Sequence, residues 1–422
     1  MKLPPIHLNA PAAIAFSGGG DSTALLHACR DNPNINHAFI IDHGFRADSA
    51  EEVTHAAEFA RSLGYKVKSQ RWSHDGVSTG IQVKARKYRY AAMGDMCRAA
   101  GLKHLVTGHT EDDQAETILM RLDRHTGWRG LAGMPEAAYG PLWPALAGVT
   151  LHRPWLNVSR ADIRQYNAEN SLRFVDDPSN ENTDFTRVRA RQALRADVEL
   201  RSELIEQQKI ARSRLSAERK NFSVWMKDHA VMNPHGFIET KALPSSELLL
   251  HILNAVSGQG GPIDAAKRAS LCAEMESPDF KAATLSGAWV IRKTQNTGHT
   301  YVFVRDRVAV AGRHGITAVP SAELKKQQLT VWDGRFFCKA KTDNVKIITA
   351  LGHINKLRQV TDFKELSNLP AEVRSTLPVF LHQGKPIGFG ACDTEFVSSR
   401  ACSASRLQAL FPNPDSVSIY TV

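Results

Sequence analysis

Ala13-Ile14-Ala15-Phe16-Ser17-Gly18-Gly19-Gly20-Asp21-Ser22-Thr23-Ala24-Leu25-Leu26-His27 is the stretch that decides how this chain is read. A short apolar run stops at Ser-Gly-Gly-Gly-Asp-Ser, and an amphipathic run follows at once. That order predicts a strand, a tight glycine turn and the first turn of a helix. Glycines let the backbone turn sharply and come close to a ligand. The first N–H groups of a helix lack intrahelical partners and point at whatever sits in the turn. Ser17, Gly18, Gly19, Gly20, Asp21 and Ser22 therefore form a candidate phosphate cradle. The Gly-Lys-Ser/Thr of a Walker A loop is absent, and so is Gly-x-Gly-x-x-Gly.

Outward from the loop, strand and helix signals alternate. His37–Asp42 reads as a buried strand, Asp48–Leu63 as a helix and Tyr65–Trp72 as a strand. Ile81–Ala100 reads as a helix, His104–Thr107 as a strand and Glu111–Asp123 as a helix. The alternation predicts a doubly wound parallel α/β sheet, Rossmann-like in plan. Such sheets bind ligands beyond the carboxyl ends of their strands. Three polar clusters follow strand ends, at Ser17–Ser22, Asp42–Arg46 and His109–Glu116, and should converge on one crevice.

The third cluster, Gly108-His109-Thr110-Glu111-Asp112-Asp113-Gln114-Ala115-Glu116-Thr117, is the second strong signal. Asp112 and Glu116 are spaced i,i+4 and Asp113 and Glu116 i,i+3, so they neighbour one another on a helix. An acidic first turn suits any helix through its macrodipole. Beside a phosphate loop, such acids also suit magnesium on a triphosphate or an amine nucleophile.

The pattern Ser-Gly-Gly-x-Asp-Ser resembles the pyrophosphate loop (PP-loop) of the ATP pyrophosphatase superfamily. Its members adenylate a substrate oxygen, release pyrophosphate and let a nucleophile displace AMP. The succession of that loop, Asp42-His43-Gly44, Ala85-Arg86-Lys87-Tyr88-Arg89-Tyr90 and His109-x-x-Asp112-Asp113-Gln114-x-Glu116-Thr117 resembles the tRNA(Ile)-lysidine synthase family. Arg153-Pro154-Trp155-Leu156, Ser159-Arg160 and Asp176-Asp177-Pro178-Ser179-Asn180 followed by Arg187 agree with it. The resemblance spans about residues 12–195 and extends more loosely to Leu377-Pro378-Val379-Phe380 and Pro386-Ile387-Gly388. Two departures stand at the RNA-facing edge: Arg124-His125-Thr126-Gly127 replaces an Arg-Gly-Ser-Gly-like turn, and Arg187-Val188 replaces Arg-Asn.

What the resemblance implies is a ligase that joins free L-lysine to carbon 2 of the wobble cytidine of a CAU-anticodon isoleucine tRNA. ATP is the co-substrate and Mg2+ accompanies it, through Asp21 or an acid of the second cluster such as Asp113. Asp42 would contact the adenosine. Asp112, Asp113 and Glu116 suit the ammonium groups of lysine, with His109 among them. Arg86 and Arg187 suit phosphate charge or the tRNA backbone.

The bulk of the chain agrees. A length of 422 residues implies several domains, and the formal net charge of +10 favours a polyanionic partner such as nucleic acid. From Arg187 to Lys220 a helical pattern carries ten Lys/Arg against five acids. The expected division is a catalytic PP-loop domain at 1–215, a mixed helical tRNA-binding domain at 216–325 and a strand-rich tRNA-binding domain at 326–422. In the last two, Trp289–Lys293 with Tyr301–Arg305 reads as a hairpin, and Leu329–Trp332, Lys346–Thr349 and Pro386–Gly390 as strands.

The six cysteines form no Cys-x-x-Cys and none falls in the three clusters. That counts against the nearest rival, a PP-loop tRNA base thiolase. A glutamine-dependent ligase would need a glutaminase cysteine or an N-terminal one, and Met1-Lys2 offers neither, while a non-catalytic RNA-binding module would not need the acids. Neither a signal-peptide pattern nor a membrane-length apolar run is present, so the expected location is the cytoplasm. A homodimer stays open as an assembly.

Overall fold

The computed structural model describes residues 3–44, 49–73, 80–124, 127–175, 186–295, 298–312, 318–350 and 363–408. Phe45-Arg46, the His125-Thr126 departure and Asp176–Asn180 lie outside the described residues. The chain forms two compact units, Met1–Glu218 and Arg219–Val422.

The first unit is the expected α/β sheet. Its opening elements are β1 (Ala12–Ala15), α1 (Gly20–Ala28), β2 (Ile35–Asp42), α2 (Ser49–Ser62), β3 (Lys66–Arg71), α3 (Ile81–Ala99), β4 (His104–Val106) and α4 (Glu111–Leu122). Strand β1 shows why helices cover both faces. Ala12 and Ile14 pack with Phe16, Leu25 and Ile163 in one buried cluster. Ala13 points the other way, into a cluster with Phe39, Tyr90, Met93 and Met96. This is the two-residue alternation of a strand with both faces buried.

The interval Gly127–Pro154, which carries no periodic signal, holds α5 (Trp128–Leu131), β5 (Ala137–Tyr139) and β6 (Thr150–His152). The strand order is β3-β2-β1-β4-β6-β5. All pairs are parallel except β5 with β6. The chain leaves β1 toward β2 and β3, then returns to place β4 on the other side of β1. The topological switch therefore lies between β1 and β4, beneath the loop and the acidic helix.

Helix α6 (Arg160–Glu169) begins at Ser159, whose hydroxyl accepts from the Asp162 N–H at 3.1 Å. The basic run expected as one helix is two: α7 (Thr186–Ala196) and α8 (Val198–His229). Asp197 divides them, because its carboxylate accepts from the Leu200 N–H at 2.8 Å and caps a new helix start. Among the described residues no helix is long and apolar enough to cross a membrane.

The second unit is strand-rich. One antiparallel five-stranded sheet includes the expected hairpin, Ala288–Gln295 with Gly298–Arg305, in which Trp289 faces Val304. Two antiparallel four-stranded sheets contain Leu329–Trp332, Val345–Thr349 and Lys385–Phe389, close to the expected strands. Asp333, buried, accepts from Arg305 at 3.0 and 3.1 Å and from Arg335 at 2.7 Å.

Gly94 on α3 is a packing constraint. A Cβ there would stand 2.0 Å from the Ala145 carbonyl oxygen, so the helix and the 145 backbone touch. Gly94→Ala should lower stability by roughly 1–3 kcal/mol through overpacking. Differential scanning calorimetry should show a lower Tm, and an unchanged Tm would contradict this contact.

Candidate active site

The glycine loop is closed by its own serines. The Ser22 hydroxyl donates to the Gly19 carbonyl at 2.9 Å and accepts from the Ser17 N–H at 3.2 Å. The Ser17 and Ser22 hydroxyls lie 3.1 Å apart. Gly18 has φ +78°, a conformation that favours glycine. Gly108 lets β4 come close, since a Cβ there would lie 2.9 Å from the Asp21 carbonyl. From outside the loop, the Val175 N–H donates to the Gly18 carbonyl at 3.0 Å and Asn167 Nδ2 to the Gly20 carbonyl at 3.0 Å. Gly19, the cap of α1, makes no side-chain hydrogen bond to the first turn. A glycine at this cap leaves the first N–H groups of α1 without a capping side chain, an arrangement that suits an anion.

Helix α4 starts with a capping box. Asp113 N–H donates to Thr110 Oγ1 at 3.2 Å, and Asp113 Oδ2 accepts from the Thr110 N–H at 2.8 Å. Asp113 Oδ1 accepts from Arg160 at 3.0 Å and Arg187 at 2.8 Å. Glu116 is 1% exposed and takes three guanidiniums: Arg160 at 3.3 Å, Arg187 at 2.7 Å and Arg191 at 2.8 Å. Asp112 Oδ2 accepts from the Arg160 backbone N–H at 2.7 Å. Arg160 Nε also lies 3.5 Å from Asp21 Oδ2. One guanidinium thus links the phosphate loop to the acidic helix.

These neighbours set the charge states. Burial pushes the Asp21 carboxyl up to about 6, against the pull of Arg160 and with a further push from Asp113 and Asp112. Burial also acts upward on Asp113, but Arg187 and Arg160 outweigh it and hold the carboxyl below its usual range. Burial brings His109 down to about 3, so its ring is neutral near pH 7. Its Nδ1 is 2.8 Å from Thr107 Oγ1. Burial opposes ionisation of the Tyr90 hydroxyl, yet Arg86, Arg89 and Arg153 pull it below its usual range. Arg86 and Arg89 lie 4.9 and 5.3 Å from the Tyr90 ring centroid.

A cavity of about 1050 Å³ joins these groups. Its wall includes Ser17, Gly19, Gly20, Asp21, Ser22, Asp42, Arg86, His109, Asp113 and Arg187 of the residues singled out from sequence. Gly18, Asp112 and Glu116 stand behind the wall. Asp42 Oδ1 accepts from the Gly44 N–H at 2.8 Å, and its Oδ2 lies 3.6 Å from Arg71 Nε. Sequence reasoning gave no site role to Arg89, Arg160, Arg164, Arg191 and Arg195, which also line the cavity. Their signal was the four-residue spacing of 160/164 and 187/191/195. No cysteine is among the described residues of the wall.

A PP-loop domain model matches residues 7–198. The tRNA(Ile)-lysidine synthase of Wolbachia pipientis wMel is 27% identical over 403 residues, covering 90% of this chain and 88% of that protein. Over most of its length the chain is thus similar to a tRNA(Ile)-lysidine synthase. The family member of Rhodopseudomonas palustris is 39% identical over 193 residues, 44% of this chain and 54% of that protein. Similarity is thus higher over a shorter stretch. A solved U34-tRNA thiolase, NcsA from Methanococcus maripaludis, aligns at TM-score 0.40 and 14% identity over 49% of this chain and 73% of that one, too slight a likeness to bear on function.

In this PP-loop domain the loop carboxylate is held at a cost to stability. Asp21 titrates near 6 when folded and near 3.8 otherwise. Below pH 3.8 both forms are protonated and the effect vanishes; between the two values stability falls as pH rises, and above 6 the full penalty remains. Asp21→Asn should therefore stabilise the ligand-free protein at pH 7.5 by on the order of 2 kcal/mol, with no gain near pH 4. Urea midpoints at both pH values check this, and a wild type as stable as the variant at pH 7.5 would refute it.

Proposed function

We propose that the crevice joins L-lysine to carbon 2 of the wobble cytidine in an isoleucine tRNA with a CAU anticodon, at the expense of ATP. One observation carries this reading: a PP-loop, an arginine set and a carboxylate helix meet in a single cavity large enough for a nucleotide and a second reactant. The match of 90% of the chain to a lysidine synthase supports it, and a cavity wall without cysteine speaks against base thiolation.

In the proposed sequence the cytidine O2 attacks the α-phosphorus of ATP. The bond from that phosphorus to the bridging oxygen breaks and pyrophosphate leaves. Loop N–H groups and the Ser17 hydroxyl hold the departing phosphates, and Arg86 and Arg187 face the developing charge. Carbon 2, now bonded to an adenylated oxygen, is electrophilic. The neutral lysine ε-amine bonds to it, the carbon–oxygen bond breaks, AMP departs with the oxygen, and the amine loses a proton. Asp42 suits the adenosine, being at the end of β2 beside the loop.

Asp21 fits a magnesium ion: it lies on the loop, and its crowding by Asp112 and Asp113 favours a positive partner. Asp113 fits one less well, because both of its oxygens already accept hydrogen bonds. Magnesium there would offset triphosphate charge. Of the three acids assigned to lysine, Asp113 alone lines the cavity, so it is the one placed to meet an ammonium group. Glu116 and Asp112 hold the arginines from behind. The residues from 216 onward, divided near 325, are proposed to carry tRNA recognition, and the setting is the cytoplasm.

Pyrophosphate release should require ATP and the tRNA transcript, and lysine alone among amino acids should drive it to completion. Asp113→Asn should raise the KM for lysine roughly 30- to 150-fold, the value of a charged hydrogen bond, and move the KM for ATP far less. A larger effect on ATP than on lysine would reassign Asp113 to the nucleotide. Release unaffected by tRNA would overturn the function.

A further inference from the structure

The arginines of the cavity fall into two classes. Arg160, Arg187 and Arg191 are tied to Asp21, Asp113 and Glu116, three guanidiniums against three carboxylates. Arg164 and Arg195 line the same cavity and are exposed. Neither has a carboxylate within ion-pair distance among the described residues. Each continues a row by one helical turn, about 6 Å along the axis: 160 to 164 on α6, and 187 to 191 to 195 on α7. That step is comparable to the spacing of neighbouring phosphates on an extended single strand.

Like charges at i,i+4 repel and weaken a helix. Farther in, the acids cancel this repulsion; at residues 164 and 195 nothing in the described structure does. An anion laid across the rim would. We infer that Arg164 and Arg195 are phosphate contacts for the RNA strand that brings its base into the crevice, an assignment that rests on the proposed function.

The choice of RNA backbone over the ATP triphosphate follows from exposure. The triphosphate has its seat in the loop, among buried donors. An exposed guanidinium gains little from a small anion that water also solvates. Against a polyanion it works through release of condensed counterions, which needs no burial. The contacts should therefore add affinity without reading sequence.

The test uses the full-length protein and a CAU-anticodon isoleucine tRNA transcript, with binding measured by fluorescence anisotropy across a salt series. Arg164→Gln and Arg195→Gln should each weaken binding by roughly 3- to 10-fold at low salt and flatten the slope of log K against log salt by about 0.7–0.9. The double variant should flatten it by about twice as much, while Arg→Lys at either site restores most of the slope. The KM for ATP should stay at the wild-type value, and the thermal midpoint at or slightly above it. Unchanged slopes in a wild type that binds tRNA and releases pyrophosphate would overturn this assignment alone. A raised KM for ATP with unchanged slopes would move the arginines to the triphosphate. A wild type that neither binds the transcript nor turns over with it would overturn the proposed function, and this inference with it.

Discussion

The buried carboxylate of Glu116 is the interaction on which the crevice depends. A charge removed from water is expensive, several kcal/mol even after relaxation, unless partners surround it. Glu116 is surrounded: Arg160, Arg187 and Arg191 reach it from two helices far along the chain. Removing one partner of such a set typically costs about 3–5 kcal/mol, because the remaining charges stay buried. Glu116 is therefore a fixed point. It draws α6 and α7 against α4, and the same arginines extend to Asp113 and to Asp21 on the loop. Segments spread from residue 21 to residue 191 become one wall.

That arrangement sorts the crevice by charge. Inside, carboxylates and guanidiniums balance, so the arginines are held in place before any substrate arrives, which is what preorganised stabilisation of developing charge requires. Asp21 is the exception, a carboxyl pushed up to about 6 by burial and acidic neighbours. His109, neutral near pH 7, adds polarity without adding charge. Toward solvent the balance gives way to arginines with no carboxylate partner among the described residues, a gradient that suits a polyanion at the mouth.

The parts legible in sequence were those with local causes. Ser17–Ser22 announces a strand–turn–helix by its glycines, and the structure starts α1 at the last of them, Gly20. The acids at 111–116 announce a helix start, and a capping box is there. The parallel sheet followed from strand–helix alternation. The short strands Ala137–Tyr139 and Thr150–His152 escaped, since three residues show no period and their place is set by pairing with β4 and with each other. The break at Asp197 escaped because an acid inside a basic helical run reads as a surface charge until its cap is seen. The burial of Glu116 against three guanidiniums also escaped. Its three partners come from residues 160, 187 and 191, and no spacing rule along the chain predicts which long-range charge an arginine will meet.

The central claim is that this crevice performs a lysine-dependent, ATP-dependent change at one cytidine. Its most direct test is mass spectrometry of nucleosides from a CAU-anticodon isoleucine tRNA transcript incubated with the protein, ATP, magnesium and isotopically labelled lysine. The predicted result is a wobble cytidine that has gained one lysine with loss of water and carries the label, with the product absent when ATP or lysine is withheld. An unchanged cytidine under full conditions, or a sulfur-bearing base with no label, would contradict it.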